Sequence, residues 1–138
     1  MRIHVLGIAA VCVLGTASAN AAERCAAFIA KSSSTTRAAD AALVKRFAPG
    51  QIVTAADVGK VMVQGPWRLI WATPKNAERG VYFFCRGKQG GYRLAETWGG
   101  VVAPGERQGT IQWTGTIKGG GPSLKLAECF ADALVAGE

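Results

Sequence analysis

The spacing of apolar residues predicts helices in the first part of the chain. Between residues 22 and 47 the apolar positions suit short amphipathic helices, and a run of hydroxyl-bearing residues at 32–36 interrupts them. This run predicts a loop whose last hydroxyls cap a helix beginning near Arg37. Pro49-Gly50 would then end that helix, because proline and glycine follow helix ends.

Two further helices are indicated by their first residues. Thr54 and Asp57 lie at capping-box spacing, which predicts a short helix reaching about residue 62. Near the other end, a glycine run at 119–121 leads to Ser123, the expected cap of a last helix. That helix carries an apolar stripe formed by Leu126, Cys129, Phe130, Ala133 and Leu134.

Between these helices the period of the apolar residues changes to two, which predicts β-strands. Turn residues at 74–78 and 87–91 separate the first three segments, so we expect hairpins. Strict alternation would place Tyr92, Leu94, Glu96 and Trp98 on one face. The four predicted strands are residues 67–73, 81–86, 92–98 and 110–117.

Together these elements predict a single small α+β domain over residues 22–138. It would consist of N-terminal helices, a four-stranded antiparallel meander sheet and a C-terminal helix packed on one face. The helices would lie on that face, which would leave the other open to solvent.

The start of the chain resembles a cleaved export signal. Arg2 is followed by an apolar run at residues 3–15 and then by small residues that suit a signal peptidase. The run is shorter than the roughly 20 residues needed to span a bilayer. Cleavage after Ala19 and cleavage after Ala21 both fit, and we take residues 1–21 as the signal. The protein is therefore expected to be periplasmic or secreted.

Removal of this segment changes the chemistry open to the protein. His4 is the only histidine of the chain, so the exported domain would contain no imidazole. Serine or cysteine catalysis with a histidine base is then excluded, and zinc and copper sites are disfavoured. No C-x-x-C pair is present. We expect no metal, no cofactor and no catalytic residue.

Three cysteines remain after cleavage: Cys25, Cys85 and Cys129. An oxidising compartment favours one disulfide and leaves one thiol over. We expect Cys85 to pair with Cys129, because a strand residue and a helix residue facing one core would be joined. Pairing of Cys25 with either of the others stays open.

A basic, aromatic stretch is the strongest candidate for a binding surface. The chain carries 16 lysines and arginines against 9 acidic residues, and loss of Arg2 lowers its formal charge from +7 to +6. Residues 60–93 concentrate this excess and interleave it with aromatic rings, which suits an anionic polymer or glycan. The alternative is that the rings belong to the core and the arginines form a solvated rim. The candidate binding residues are Arg68, Tyr82, Arg86, Arg93 and Trp98.

Three functions follow as hypotheses. The first is a non-enzymatic binding protein that holds an anionic ligand or a protein partner, with an inhibitor or immunity protein as a special case. The second is a glycan hydrolase or lyase of the cell envelope that uses Glu96, the one acidic residue inside a predicted strand, or Asp57. The third is an accessory subunit of a larger exported assembly, with Cys25 forming an intermolecular disulfide.

Overall fold

The computed structural model describes residues 16–138, so the apolar run of the predicted signal lies outside the described residues. The helices are α1 (Thr16–Ala26), α2 (Ser34–Phe47), α3 (Arg107–Gly115) and α4 (Leu124–Val135). The strands are β1 (Val58–Gln64), β2 (Trp67–Ala72), β3 (Gly80–Arg86) and β4 (Tyr92–Gly99). Helix α1 runs across both candidate cleavage sites, Ala19 and Ala21. No helix in residues 16–138 is long and apolar enough to cross a bilayer.

The strands form an antiparallel meander in the order β1-β2-β3-β4, with helices before and after it. The predicted α+β class and the four-stranded antiparallel sheet are confirmed. Two of the elements, however, have a different type of secondary structure from the one predicted. The segment expected to be a short helix up to about residue 62 is mostly strand β1, and the segment expected to be a strand at 110–117 is mostly helix α3.

A tight turn explains why β1 is a strand. Gln64 pairs with Trp67, so Gly65 and Pro66 form a two-residue hairpin loop. Gly65 has φ +53, a value that glycine adopts without steric cost, and glycine in the first position suits such turns. The capping pair of Thr54 and Asp57 is present, but the turn that it caps is only a 3₁₀ helix over Ala55–Asp57.

Packing and internal hydrogen bonds explain why α3 is helical. Thr110 and Thr114 are buried, one turn apart, and both hydroxyls donate within the helix, to Glu106 O and to Ile111 O. The polar groups of these β-branched residues are thus satisfied without a sheet. Ile111 packs against Ala127 and Ala131 of α4, and this contact covers the apolar side of α3.

One face of the sheet carries the main core. Trp67, Leu69, Trp71, Val81 and Phe83 pack here against α1 and α4. As predicted, Ser123 caps α4, and the apolar stripe of this helix is buried in the same core. Phe130 lies at its centre, 4.9 Å from Phe83 and 5.9 Å from Trp71 between ring centroids.

The opposite face is covered by α2 rather than left open. Ala41 and Val44 of α2 pack against Ile70, Tyr82 and Phe84. The helix begins at Ser34 rather than near Arg37, and Ser33 accepts the N–H of Thr36 as its cap. A hydroxyl of the 32–36 run thus caps the helix as expected, but it is not one of the last, and residues 34–36 are helical instead of loop. Helices therefore cover both faces of the sheet, which removes much of the exposed face that the sequence suggested.

The disulfide differs from the expected pair. Cys129 of α4 is bonded to Cys25 of α1, and among the described residues Cys85 on β3 is the free cysteine. The prediction of Cys85 with Cys129 was wrong, although both lie along the same core. Cys25 is buried against α4, whereas Cys85 is only partly buried, and the observed bond closes a far longer stretch of chain than the expected one. The bond also occupies the Cys25 sulfur that the accessory-subunit hypothesis assigned to an intermolecular disulfide.

Strand β4 contains a bulge that alters the expected alternation. Phe83 faces Glu96 and Phe84 faces Leu94, so β4 contains one residue more than its partner between these pairs. After the bulge Trp98 lies opposite Val81, on the α4 face, whereas Tyr92 and Leu94 join the α2 face. The prediction that Tyr92, Leu94, Glu96 and Trp98 share one face was therefore wrong.

Candidate functional site

The five predicted binding residues do not converge. Arg68, Tyr82 and Arg86 belong to the α2 face, because Arg68 pairs with Phe84 and side chains alternate along β3. Arg93 pairs with Cys85 and Trp98 with Val81, which places both on the α4 face. The sheet itself thus separates the set into two groups.

Arg68 is occupied by a carboxylate inside the protein. Its Nε and Nη2 donate to the two carboxylate oxygens of Asp40 at 2.7 and 2.9 Å. Asp40 is only 4% exposed. This bidentate hydrogen bond raises the pKa of the Arg68 guanidinium, and Tyr92 adds to the effect. Arg68 therefore ties β2 to α2 rather than offering a free charge.

The two aromatic members of the predicted set are core residues. Tyr82 is 4% exposed and packs in the core under α2, where burial raises the pKa of its phenol. Trp98 packs edge to face on Trp113 at 4.7 Å and on Phe130 at 6.0 Å between centroids. Tyr82 is buried and Trp98 is partly buried against the core, and this packing favours the interpretation of the rings as core.

Arg86 has a different environment. Its guanidinium carbon lies 4.8 Å from the ring centroid of Tyr92, and its Nη2 donates to the Tyr92 hydroxyl at 2.9 Å. The Arg86 side chain is exposed, and among residues 16–138 it has no carboxylate within ion-pair distance. The two interactions hold a solvent-facing charge in a defined position.

A second arginine repeats this arrangement on the same side of the molecule. Arg46, in the last turn of α2, lies 5.4 Å from the ring centroid of Phe47. Phe47 in turn packs edge to face on Phe84, whose side chain precedes that of Arg86 on the α2 face of β3. We call Arg46, Phe47, Arg86 and Tyr92 the basic–aromatic patch.

Sequence reasoning missed Arg46 and Phe47. The signal was present as a basic pair, Lys45 and Arg46, beside an aromatic residue at the end of a predicted helix. Only the packing of α2 over the sheet brings this helix end beside β3. The contact depends on tertiary structure, which residue spacing does not encode.

Glu96, the candidate catalytic carboxylate, accepts a hydrogen bond from the main chain. It is exposed on β4, and its Oε1 accepts the backbone N–H of Thr97 at 3.0 Å. In residues 16–138 it forms no ion pair with a lysine or arginine. Within that part of the chain no three His, Cys, Asp or Glu side chains are grouped to hold a metal ion.

The glycine run before α4 acts as a turn. Gly119, Gly120 and Gly121 all have positive φ, and a Cβ on Gly121 would collide with the carbonyl oxygen of Thr114. Ser123 then accepts the N–H of Leu126 as the helix cap. The run joins α3 to α4 closely and does not form a phosphate loop of the Walker type.

An apolar groove lies away from the patch. It has a volume of about 550 Å³ and runs beside the disulfide, between α1, α4 and β1. Met62 and Ala133 lie among its apolar lining residues, and Lys60 and Glu138 form an ion pair at its margin. Its position on the α4 side separates it from Arg86 and Tyr92.

Comparison with known proteins returns no relative. No protein-family model, no curated protein and no solved structure shows significant similarity to this chain.

Proposed function

We propose that this protein is an exported, non-enzymatic binding protein that holds an anionic partner on its basic–aromatic patch. The observation that carries the proposal is the exposed guanidinium of Arg86, held over the ring of Tyr92 without a carboxylate among the described residues. An inhibitor or immunity protein that blocks a partner enzyme is one form of this function.

The contrast with other basic residues supports the proposal. Lys60, Arg68 and Arg107 are each neutralised by a carboxylate of the protein, as structural cations are expected to be. Arg86 is instead fixed by an aromatic ring, which restrains the side chain without cancelling its charge. A restrained side chain loses less conformational entropy when a ligand binds.

The surroundings of the patch add further positive charge. Lys45 precedes Arg46 at the end of α2, and Lys88 lies exposed in the turn that follows Arg86. Against the formal charge of +6 that remains after loss of Arg2, this cluster attracts anions and raises their rate of encounter. The flat rings of Phe47 and Tyr92 support contact with the less polar parts of the partner.

The proposal can be tested with two labelled polyanions, a polyglutamate chain and a heparin hexasaccharide. Fluorescence anisotropy would measure their affinity for the wild type, for Arg86→Ala and for Tyr92→Ala. We expect each substitution to weaken binding about tenfold, since a charge-assisted contact or its support is lost.

Arg37→Ala is the matched control, because Arg37 is an exposed arginine near the start of α2, away from the patch. It removes the same charge and should change affinity less than about threefold. Equal losses for Arg37→Ala and Arg86→Ala would mean that net charge alone drives binding. Absence of binding to both polyanions would refute the proposed function.

A further inference from the structure

The two edge strands of the sheet, β1 and β4, differ in whether another segment is hydrogen-bonded to them. Strand β1 is covered by the segment after α1, where Ala30 N donates to Val61 O at 2.9 Å and Val63 N donates to Phe28 O at 2.7 Å. Strand β4 has no such cover in the part of the chain that the structure describes. Among residues 16–138, no backbone hydrogen bond joins residues 92–99 to any segment other than β3. An uncovered edge strand offers a row of main-chain donors and acceptors.

The hydrogen-bond pattern shows which groups of β4 face outward. Arg86 N donates to Pro66 O at 2.8 Å, on the β2 side, so the pair of Arg86 and Tyr92 is a non-hydrogen-bonded one. The N–H and C=O of Tyr92 therefore point away from β3. Leu94, two residues further, repeats this orientation, whereas the groups of Arg93 point toward β3.

Positive charge flanks this open stretch on both faces. Arg86 lies against Tyr92 on the α2 face. Arg93 lies on the α4 face, where its Nη2 reaches toward the loop at Gly119. Side chains of an added strand would point alternately to these two faces, so acidic residues on either side would meet a guanidinium.

We propose that the partner is an acidic segment in extended conformation that adds to β4 as a fifth strand, bonded to the main chain of Tyr92 and Leu94. This inference rests on the proposed function and names the class of partner. The main chain would provide affinity in the usual manner of strand addition, and Arg86 and Arg93 would select acidic side chains.

The second half of β4 limits the length of the added strand. The bulge next to Glu96 distorts the edge, and the Glu96 carboxylate already occupies the N–H of Thr97. Glu96 would also repel an acidic strand at this point. The added strand therefore pairs with residues 92–94 and stops before Thr97.

The direct test is amide hydrogen exchange by NMR on the wild-type protein, with and without a decapeptide of five Glu-Thr repeats. Strand addition should slow exchange of the Tyr92 and Leu94 amides about tenfold or more at saturation. The Arg93 amide is an internal control, because it already faces β3 and should change little. A Lys-Thr decapeptide of the same length should not bind.

A pair of variants gives an independent test. Leu94→Pro removes the outward N–H at an edge position that tolerates proline, and Leu94→Ala keeps this N–H while removing most of the side chain. We expect Leu94→Pro to lower the affinity for the Glu-Thr peptide about tenfold and Leu94→Ala to lower this affinity less than about threefold. Both variants should retain the affinity for the heparin hexasaccharide, which cannot add a strand.

The outcomes separate this inference from the proposed function. Binding of polyanions that depends on Arg86, with no slowing of Tyr92 and Leu94 exchange, would overturn strand addition and leave the proposed function intact. Tighter binding of the hexasaccharide than of the peptide at equal salt would also overturn the choice of a peptide. If Leu94→Pro does not fold, the exchange measurement on the wild type decides the question.

Discussion

The guanidinium of Arg68 and the carboxylate of Asp40 form a bidentate ion pair that joins β2 to α2. The pair lies under the helix that carries half of the basic–aromatic patch. It converts a residue that the sequence places among the binding candidates into a structural link. The same contact joins α2 to the sheet, and so it supports the packing of Phe47, the ring beside Arg46, on Phe84 of β3.

Removing either partner of this ion pair should destabilise the fold, but the two substitutions should cost different amounts of free energy. Arg68→Ala would leave a carboxylate that is 5% exposed without its partner and should cost about 3–5 kcal/mol of unfolding free energy. Asp40→Ala should cost less, about 1–3 kcal/mol, since the Arg68 side chain is 20% exposed and can turn toward water. Urea unfolding would measure both values.

The double variant provides the control for this interpretation. Arg68→Ala combined with Asp40→Ala should cost at least about 1 kcal/mol less than the sum of the single variants, because the residues interact directly. Strict additivity would show that the pair contributes no coupling.

The unfolding free energy at alkaline pH should depend on the buried phenol of Tyr82. Burial raises its pKa in the folded protein, so the folded state keeps its proton while the unfolded chain loses it near pH 10. The stabilising contribution is fully present below that pH and is lost as pH rises through the folded pKa. Unfolding free energies from pH 8 to 11 should fall more steeply for the wild type than for Tyr82→Phe.

Tyr92→Phe is the matched substitution for this measurement, since it retains Tyr82 and removes the other tyrosine of the chain. It should keep the steep alkaline loss. Parallel curves for the wild type and Tyr82→Phe would contradict the assignment.

The disulfide predicts that substitution of Cys25 and substitution of Cys85 will change the unfolding free energy by different amounts. Cys25→Ser opens a link between residues 104 positions apart and should lower the unfolding free energy by about 2–5 kcal/mol. Cys85→Ser should change it by less than about 1 kcal/mol, because this thiol is free and only partly buried. Thermal unfolding would compare the two. Labelling of Cys25 rather than Cys85 by iodoacetamide, without reductant, would contradict the pairing.

The connection between α3 and α4 should depend on one glycine more than on its neighbour. Gly121 has φ +67, and an added Cβ would overlap the Thr114 carbonyl oxygen, so Gly121→Ala should cost about 3 kcal/mol or more. Gly120→Ala meets no atom within 4 Å and should cost only the conformational penalty of about 1–2 kcal/mol at φ +94. Similar melting temperatures for the two variants would show that the turn rearranges.

The contrast between α3 and β1 shows what local patterns can predict in this chain. Three strands, the last helix and its cap follow from alternation and capping residues, and the structure contains them. Residues 110–117 are rich in threonine and isoleucine, which favour strands, but the surface of α4 offers a place for a helix. Packing on α4 thus outweighs the local strand preference of these residues, and the alternation of apolar and polar residues does not predict this packing.

The candidate site was only partly predictable for a related reason. The basic and aromatic residue types were identified from composition, and Arg86 is among them. The bulge in β4 moves Trp98 to the other face, and the Asp40 contact removes Arg68 from the free charges. Each outcome depends on a long-range contact between segments that the sequence presents as separate.

The proposed function depends most on electrostatic recognition at Arg86, and one titration tests this recognition directly. The affinity of the wild-type protein for polyglutamate would be measured at salt concentrations from about 50 to about 200 mM. We predict a loss of affinity of about tenfold or more over this range, with a shallower loss for Arg86→Ala. Affinity that does not change with salt, or an equal salt dependence in the wild type and Arg86→Ala, would contradict electrostatic recognition at Arg86.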